Sequence, residues 1–267
     1  MRFLPLDDKQ WGLTKQAGEE RFMIVTTDYI DLPTADGPMR TLLARPKAEG
    51  TYPGLLVFSD IFQLTNPTVR AVIRLASYGF IVCSPEIYHR IEPPGRVLAF
   101  DADRETASAD AQKTLVHHFD ADTRTGLDYL HAHPQVSPGQ IGVSGFCIGG
   151  HLTIRAALQP DVRAGVAFYP TGLHEDSLGG SRGVDSLARV REITGDLLVI
   201  FGTDDPHIPV EGRARVVAAL RAANVRARIS EYEGEHAFMR DEGPRWNASE
   251  SDRAYAEAVG FFREHLH

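Results

Sequence analysis

Short apolar runs alternate with segments of helical period along most of the chain. The alternation begins with two apolar runs on either side of the turn Ala35-Asp36-Gly37, which predict a pair of strands. Beyond them, runs of Val, Ile and Leu are separated by stretches whose apolar residues recur every three or four positions. A strand covered on both faces is apolar throughout, so these runs predict buried strands. The alternation predicts an α/β fold, with helices on both faces of a mostly parallel central sheet.

Turn and cap residues divide this pattern into individual elements. Asn66 is predicted to cap the first helix, with Pro67 at its first helical position, and Gly79 is predicted to end it. Further helices are predicted over residues 105–133, 147–158, 210–224 and 249–266. The predicted buried strands are TYPGLLVFSD, FIVCSPE, QIGVSG, RAGVAFYP, LLVIFG and ARISEYEG.

Three segments depart from the alternating pattern. Residues 1–20 are polar and aperiodic, and we expect them to form an N-terminal extension on the surface. Residues 171–195 are Gly-rich and weakly periodic, and with residues 85–106 they are the candidates for a loop or lid. Because no repeat, low-complexity tract or linker interrupts the alternation, residues 1–267 are predicted to form one domain.

Composition and charge narrow the classes of function. Apolar residues make up 43% and charged residues 24% of the chain, which is ordinary for a soluble protein. The formal net charge of −8 and the lack of a Lys/Arg cluster argue against a nucleic-acid partner. No apolar run has the length of a membrane span or a signal peptide, so we expect a cytoplasmic protein without a membrane partner. No glycine-rich nucleotide-binding motif is present, and the histidines at 117–118 and 131–133 lack metal-ligand spacing, so we expect no cofactor and no metal.

The segment Gly145-Phe146-Cys147-Ile148-Gly149 carries a chemical motif. It reads G-x-C-x-G between a predicted strand and a predicted helix, which is the pattern of a nucleophile elbow with cysteine in place of serine. Glycines let neighbouring backbone approach the tight turn, and a helix N-terminus favours a thiolate. The N–H of Ile148 is then a candidate oxyanion donor. The competing interpretation makes Cys147 a small buried residue packed beside glycine.

Other residues are weaker candidates for the nucleophile. Ser144 is a rival, but the glycine after it follows immediately and not at the second position. Cys83 lies within a predicted buried strand and is expected to be part of the core. With only two cysteines and no CxxC motif, the chain is expected to hold free thiols and no disulfide framework.

Two further strand ends supply the other groups of a catalytic triad. After LLVI, Asp205 stands four residues before Pro209 in a G-x-x-D-x-x-x-P loop, where an acid would orient a catalytic histidine. Asp204 is the alternative acid, or it caps the turn. His236, in a G-x-H-x-F loop after the last strand, is the candidate general base. The order nucleophile, acid, histidine, with spacings of 58 and 31 residues, is the order found in the α/β-hydrolase fold.

At these residues the sequence resembles the dienelactone hydrolase (carboxymethylenebutenolidase) family, over residues 22–266. Ser59-Asp60-Ile61-Phe62 matches the acid and Ile-Phe that the family carries after its third strand. The resemblance implies that Asp60 is the partner of the resting thiol, although glutamate is the usual residue there. It also implies that the N–H of Ile61 is the second oxyanion donor.

The resemblance extends to a site for a substrate carboxylate. The family's Tyr-x-Arg after its fourth strand is matched by Tyr88-His89-Arg90, and its arginine four residues after the catalytic histidine is matched by Arg240. The resemblance implies that Tyr88 and both arginines bind substrate, with the guanidinium groups holding its carboxylate. A surface position or a structural ion pair is the alternative for each arginine.

Together these residues predict an ester-bond hydrolase that acts on a small-molecule lactone or enol ester bearing a carboxylate. The expected reaction passes through an acyl-enzyme on the cysteine. A broader carboxylesterase, thioesterase or phosphotriesterase-like hydrolase on the same triad is one alternative, and a non-catalytic thiol-sensing or binding protein is another. The expected assembly is a monomer or a homodimer.

Overall fold

A computed structural model describes residues 23–267, which contain the predicted alternation of strands and helices. The N-terminal extension predicted over residues 1–20 lies outside the described residues. A sheet of eight strands forms the centre of this part of the chain, and two very short strands form a separate hairpin. The strands are β1 (Val25–Thr34), β2 (Gly37–Pro46), β3 (Tyr52–Phe58), β4 (Ile81–Pro85), β5 (Val136–Phe146), β6 (Ala164–Phe168), β7 (Ser177–Leu178), β8 (Ser181–Arg182), β9 (Asp196–Gly202) and β10 (Ala227–Tyr232).

The order of the strands brings the ends of distant segments together at one edge of the sheet. The order is β1-β2-β4-β3-β5-β6-β9-β10. β2 pairs antiparallel with β1 and β4, whereas the pairs from β4 to β10 are parallel. The chain steps to opposite sides of β3 when it forms β4 and β5. In such sheets, ligands bind beyond the carboxyl ends of the strands at the point where the order reverses.

Helices cover the sheet. The region predicted as one helix, residues 105–133, forms two separate helices. The structure has two helices within residues 105–133, because the chain is extended at Thr114. There the carbonyl O of Thr114 accepts the N–H of Gly180, and the N–H of Val116 donates to Oγ of Ser181. The helices are α1 (Asn66–Ser77), α2 (Arg104–Lys113), α3 (Val116–Ala132), α4 (Ile148–Ala156), α5 (Ser186–Arg189), α6 (Val210–Ala222) and α7 (Ala248–His265).

The start of α1 differs from the prediction by one residue. Asn66 is the first residue of the helix and does not cap it; Thr65 precedes the helix in an extended conformation and makes no side-chain cap bond. Pro67 is the second residue of the helix and not the first, and it still lies in the first turn, where its missing N–H has no cost. Gly79 follows the helix with φ of +96°, so the predicted stop is confirmed.

The Gly-rich segment 171–195 is packed onto the protein and contains the β7–β8 hairpin and α5. The apolar side chains of Leu173, Leu178 and Val184 from this segment are buried. Arg155 on α4 is also buried and donates from Nη1 to the carbonyl O of Val184 at 2.8 Å. These contacts anchor the segment next to α3 and α4.

The core lies between the sheet and its helices. β4 and β6 are buried along their whole length, as their apolar sequences predict. Within residues 23–267, every helix falls short of the length or the apolarity that a membrane crossing needs.

Candidate active site

Cys147 lies between the end of β5 and the start of α4. Its backbone has φ of 60° and ψ of −118°, a conformation that residues other than glycine rarely adopt. Neighbouring chain holds this turn in place: the N–H of Cys147 donates to the carbonyl O of Phe168 at 3.1 Å, and its carbonyl O accepts the N–H of Thr171 at 3.1 Å. The predicted strand–turn–helix context of a nucleophile elbow is therefore present, with backbone strain at the nucleophile position.

The glycines of the motif have a steric reason. A Cβ on Gly145 would overlap the carbonyl O of Gly149. A Cβ on Gly149 would overlap the carbonyl oxygens of Phe58 and Ser59 at the end of β3. The elbow therefore packs directly on the neighbouring strand, and any larger residue at either position would push it away.

Ser144, the rival nucleophile, is fixed within the sheet. Its side chain is fully buried, and Oγ donates to the carbonyl O of Val166 on the adjacent strand at 2.9 Å. The hydroxyl is thus part of the β5–β6 packing and does not face the cavity.

Asp205 and His236 are brought together from the ends of β9 and β10. Nδ1 of His236 lies 2.7 Å from Oδ2 of Asp205, and both side chains are buried. Oδ1 of Asp205 accepts the backbone N–H of His207 at 2.8 Å. Although burial opposes ionisation of Asp205, its hydrogen bonds to His236 and His207 lower the pKa of the carboxyl group.

Asp204, the alternative acid, is turned away from the histidine. It is exposed, and Oδ2 accepts a hydrogen bond from Oγ1 of Thr203 at 2.9 Å. Its backbone N–H donates to the carbonyl O of Gly234, which joins the two loops. Asp205 is therefore the acid that can orient His236.

His236 is placed to exchange a proton with Cys147. Burial disfavours its charged form, but the negative sulfur of Cys147 and the Asp205 carboxylate outweigh burial and raise the pKa of His236 to about 10. The two side chains line the same cavity. His236 therefore favours its protonated form whenever the neighbouring sulfur carries a negative charge.

The hydrogen bond to the sulfur differs from the sequence prediction. Asp60, expected to partner the thiol, uses Oδ1 to accept the N–H of Phe62 at 2.9 Å, and Oδ2 lies 3.8 Å from Nη1 of Arg240. Burial raises the pKa of Asp60 in spite of these two contacts. Sγ of Cys147 instead accepts a hydrogen bond from Oγ1 of Thr171 at 3.4 Å.

The two candidate oxyanion donors flank the elbow. Ile148 is the first residue of α4, and an N–H at that position has no acceptor within its helix. Ile61 lines the cavity directly after β3, and its N–H has no acceptor within residues 23–267. Both amides are thus available to an oxygen bound near Cys147.

A cavity of about 420 Å³ opens in front of Cys147, a volume in the range of small-molecule sites. Aromatic and apolar side chains form part of its wall, and polar and charged side chains form the rest. The lining residues are Asp60, Ile61, Phe62, Phe100, Asp101, Arg104, Ser108, Cys147, Thr171, His207, His236, Ala237, Arg240, Pro244 and Arg245.

Arg240 lies in the cavity wall, as predicted. Its guanidinium carbon is 4.5 Å from the ring centre of Phe100 and 5.7 Å from that of Phe62. The 3.8 Å separation from Asp60 is too long for a strong hydrogen bond. The guanidinium group therefore keeps donors free for a ligand.

Arg90 is not part of the cavity, and its predicted role in substrate binding is wrong. Its guanidinium group donates from Nη1 and Nη2 to the two carboxylate oxygens of Asp122 at 2.6 and 2.8 Å. Nε donates to Asp36 at 2.6 Å. These carboxylates occupy all three nitrogens, so the alternative interpretation, a structural ion pair, is the correct one.

Tyr88 is likewise absent from the cavity wall. It is 1% exposed, and its hydroxyl has no hydrogen-bond partner within residues 23–267. Burial, followed by the negative charges of Cys147 and Asp60, raises its pKa. The side chain does not line the cavity, which contradicts its predicted role in substrate binding.

Several residues that face the cavity were not predicted from the sequence. Arg104, the first residue of α2, contributes a guanidinium group that makes no ion pair within residues 23–267. His207 packs edge-on against His236, with 4.6 Å between ring centres. The position of His207 beside Asp205 in the acid loop was a usable signal, whereas nothing in the local sequence marks Arg104 or Thr171.

Comparisons with known proteins show which family and which fold the chain shares. The Dienelactone hydrolase family pattern matches residues 39–266. A Saccharomyces cerevisiae protein named for an expected carboxymethylenebutenolidase activity is 34% identical over 230 residues, which is 82% of this chain and 84% of that protein. A Bradyrhizobium protein named for an expected 2-oxo-3-(5-oxofuran-2-ylidene)propanoate lactonase activity is 26% identical, over 91% of this chain and 96% of that protein.

The fold is shared with solved structures. A dienelactone hydrolase-like promiscuous phosphotriesterase from metagenomic libraries superposes with a TM-score of 0.75 at 20% identity, covering 91% of this chain and 99% of that one. The central sheet, mostly parallel and flanked by helices, is that of an α/β-hydrolase. With its family pattern spanning residues 39–266, the chain belongs to the dienelactone hydrolase family, whose members are hydrolases acting on ester bonds.

Proposed function

We propose that this protein hydrolyses a carboxylate-bearing enol lactone or enol ester through a thioester on Cys147. One observation supports this proposal above the others: Cys147 and His236 open into the same cavity as the guanidinium groups of Arg104 and Arg240. A thiol nucleophile next to two arginines suits an ester that carries a negative charge. The Bradyrhizobium relative, named as a lactonase for a propanoate, is consistent with this substrate class.

In the first half of the reaction, His236 takes the thiol proton and the thiolate attacks the carbonyl carbon. The negative oxygen of the tetrahedral intermediate accepts the N–H groups of Ile61 and Ile148. Collapse breaks the C–O bond of the ester, and the enolate leaves and takes a proton from His236. An enolate is a weaker base than an alkoxide, so the proposal favours enol esters over alkyl esters.

In the second half, His236 removes a proton from water as the water attacks the thioester. Asp205 holds the imidazole and stabilises its charged form through the 2.7 Å contact. Collapse of the second tetrahedral intermediate expels the thiolate, which recovers its proton from His236. The acid product leaves the enzyme in its starting state.

A neutral ester is the second candidate substrate. The rings of Phe62 and Phe100 give the cavity an apolar wall, and Asp60 and Asp101 offset part of the positive charge of the arginines. The structural likeness to a promiscuous phosphotriesterase adds phosphotriesters to the neutral substrates worth testing.

The test compares one carboxylate-bearing enol lactone with its own methyl ester, which removes the charge at the remote group, and cleavage is followed at the lactone ring in both compounds. The proposal predicts that wild type prefers the free carboxylate by about tenfold or more in kcat/KM, since a charged hydrogen bond is worth about 1.5–3 kcal/mol. It also predicts that Cys147→Ala loses both activities. Equal or better cleavage of the methyl ester would favour the neutral-ester function.

A further inference from the structure

Thr171, in the cavity wall, has a hydroxyl group within reach of two acceptors. Oγ1 lies 3.4 Å from Sγ of Cys147 and 3.3 Å from the carbonyl O of Tyr169. One hydroxyl proton can serve only one of these acceptors at a time. A thiolate accepts more strongly than a neutral thiol or a thioester, so the charge on the sulfur decides which acceptor receives the proton.

The backbone of Thr171 is held at both of its polar groups. Its N–H donates to the carbonyl O of Cys147 at 3.1 Å, and its carbonyl O lies 3.3 Å from Nδ1 of His151, one turn along α4. Nε2 of His151 is 2.8 Å from Oγ of Ser186. A neutral ring that donates from Nδ1 and accepts from the serine hydroxyl satisfies both contacts.

This arrangement is stable at neutral pH. His151 is fully buried, and burial together with the positive charge of Arg155 lowers its pKa to about 3. Arg155 donates from Nη1 to Oγ of Ser186 at 3.1 Å, which leaves the serine proton for His151. The backbone of Thr171 is thus held on both sides, with Oγ1 within reach of its two acceptors.

We propose that Thr171 is a catalytic residue whose hydroxyl donates to the sulfur of Cys147 when the sulfur is a thiolate and to the Tyr169 carbonyl when it is acylated. The proposal rests on the proposed function of Cys147 as nucleophile. It assigns to Thr171 the contact with sulfur that the sequence analysis gave to Asp60. Asp60 is engaged by Phe62 and does not hydrogen-bond to Sγ.

The hydroxyl acts twice in each turnover without transferring its proton. When His236 takes the thiol proton, the electron pair stays on sulfur and the Thr171 O–H stabilises the resulting charge. Attack converts that pair into a C–S bond, and the hydroxyl returns to the carbonyl of Tyr169. When the C–S bond breaks, the pair goes back to sulfur and the hydroxyl donates again, which makes the thiolate a better leaving group.

The test removes the hydroxyl while keeping the side-chain shape, with Thr171→Val, and restores it with Thr171→Ser. Alkylation of Cys147 by iodoacetamide is followed from about pH 5 to about pH 10 by peptide mass spectrometry. Cys83 is an internal control, because burial raises its pKa to about 12. Turnover of an activated aryl ester by the same variants gives kcat and KM.

In Thr171→Val, the alkylation midpoint of Cys147 is expected to rise by about one pH unit and kcat to fall about tenfold, as the loss of a charged hydrogen bond predicts. KM stays within about twofold in this outcome, and Thr171→Ser recovers both properties. An unchanged midpoint and kcat in Thr171→Val overturns the proposal, as does an equal loss in Thr171→Ser. The variant Cys147→Ala distinguishes failure of the proposed role of Thr171 from failure of the proposed function. If Cys147→Ala is inactive while Thr171→Val behaves as wild type, only the role of Thr171 is contradicted. If Cys147→Ala is active, both the proposed function and the role of Thr171 are contradicted.

Discussion

His236 is held by Asp205 through a 2.7 Å contact between Nδ1 and Oδ2, while Oδ1 of the same carboxylate is occupied by the N–H of His207. With both oxygens engaged, the carboxylate has one orientation, and the imidazole presents its other nitrogen, Nε2, for proton transfer. Three loops that are distant in sequence thus meet at the carboxyl ends of β5, β9 and β10.

Replacing Asp205 by Asn should lower kcat by about 10³- to 10⁴-fold, because the amide neither fixes the tautomer of His236 nor stabilises its charge. The matched control is Asp204→Asn, which changes an exposed neighbour bonded to Thr203. Its kcat should stay within about twofold of wild type. Steady-state kinetics on one aryl ester decides the matter, and similar losses in the two variants would contradict the assignment of the acid.

Arg104→Gln and Arg240→Gln should each reduce kcat/KM for a carboxylate-bearing lactone by about tenfold or more, since each removes a charged donor from the cavity. The methyl ester of the same lactone should be affected much less. Arg90→Gln is the control, because its guanidinium group is taken up by Asp122 and Asp36. Loss of charge selectivity in Arg90→Gln alone would reverse the assignment made from the structure.

Arg90→Ala should lower the free energy of unfolding by about 2–3 kcal/mol, because it leaves the buried carboxylate of Asp122 without its main partner. The KM for substrate should not change. Asp36→Asn removes the exposed partner of the same arginine and should lower the free energy of unfolding much less. Urea unfolding of wild type, Arg90→Ala and Asp36→Asn measures these free energies of unfolding. Equal stability of Arg90→Ala and wild type would show that the ion pair does not stabilise the fold.

The buried His151 should make the protein sensitive to acid. Its folded-state pKa of about 3 is below the ordinary value of 6.5, so the unfolded chain binds a proton that the folded protein does not bind. Stability therefore falls as pH drops below 6.5, by about 1.4 kcal/mol per pH unit for one group, and this loss ends near pH 3.

The check is the difference in unfolding free energy between wild type and His151→Asn, measured from pH 6.5 down to about 4.5. The asparagine variant starts less stable and should lose less on acidification, so the two curves should converge. Parallel curves would mean that the pKa of His151 is the same in the folded and unfolded states.

The grouping of Cys147, Asp205 and His236 could be predicted from sequence because each residue lies in a short motif at a strand end. The motif around Cys147 and the motif around His236 can each be recognised from a few consecutive residues. The spacing of Asp205 to Pro209 also identified it, and not Asp204, as the acid expected to contact the histidine. Short motifs at strand ends are sufficient to predict that these side chains meet, since a parallel sheet brings the carboxyl ends of its strands to one edge.

The cavity wall could not be predicted in the same way. Arg90 matched a local motif, but its partner Asp122 lies on a helix 32 residues away, and only the fold reveals the ion pair. The long loop before α2 positions Arg104 at the site. Thr171 lies at the site because its backbone contacts the turn of Cys147. Side chains that meet through tertiary packing leave no periodic signal in the sequence.

The central claim, that Cys147 forms the covalent intermediate, is tested most directly by intact-protein and peptide mass spectrometry of enzyme quenched during turnover of an activated aryl ester. The account predicts an acyl adduct on the peptide that contains Cys147. An acyl adduct on another residue, or undiminished turnover by Cys147→Ala, would contradict it.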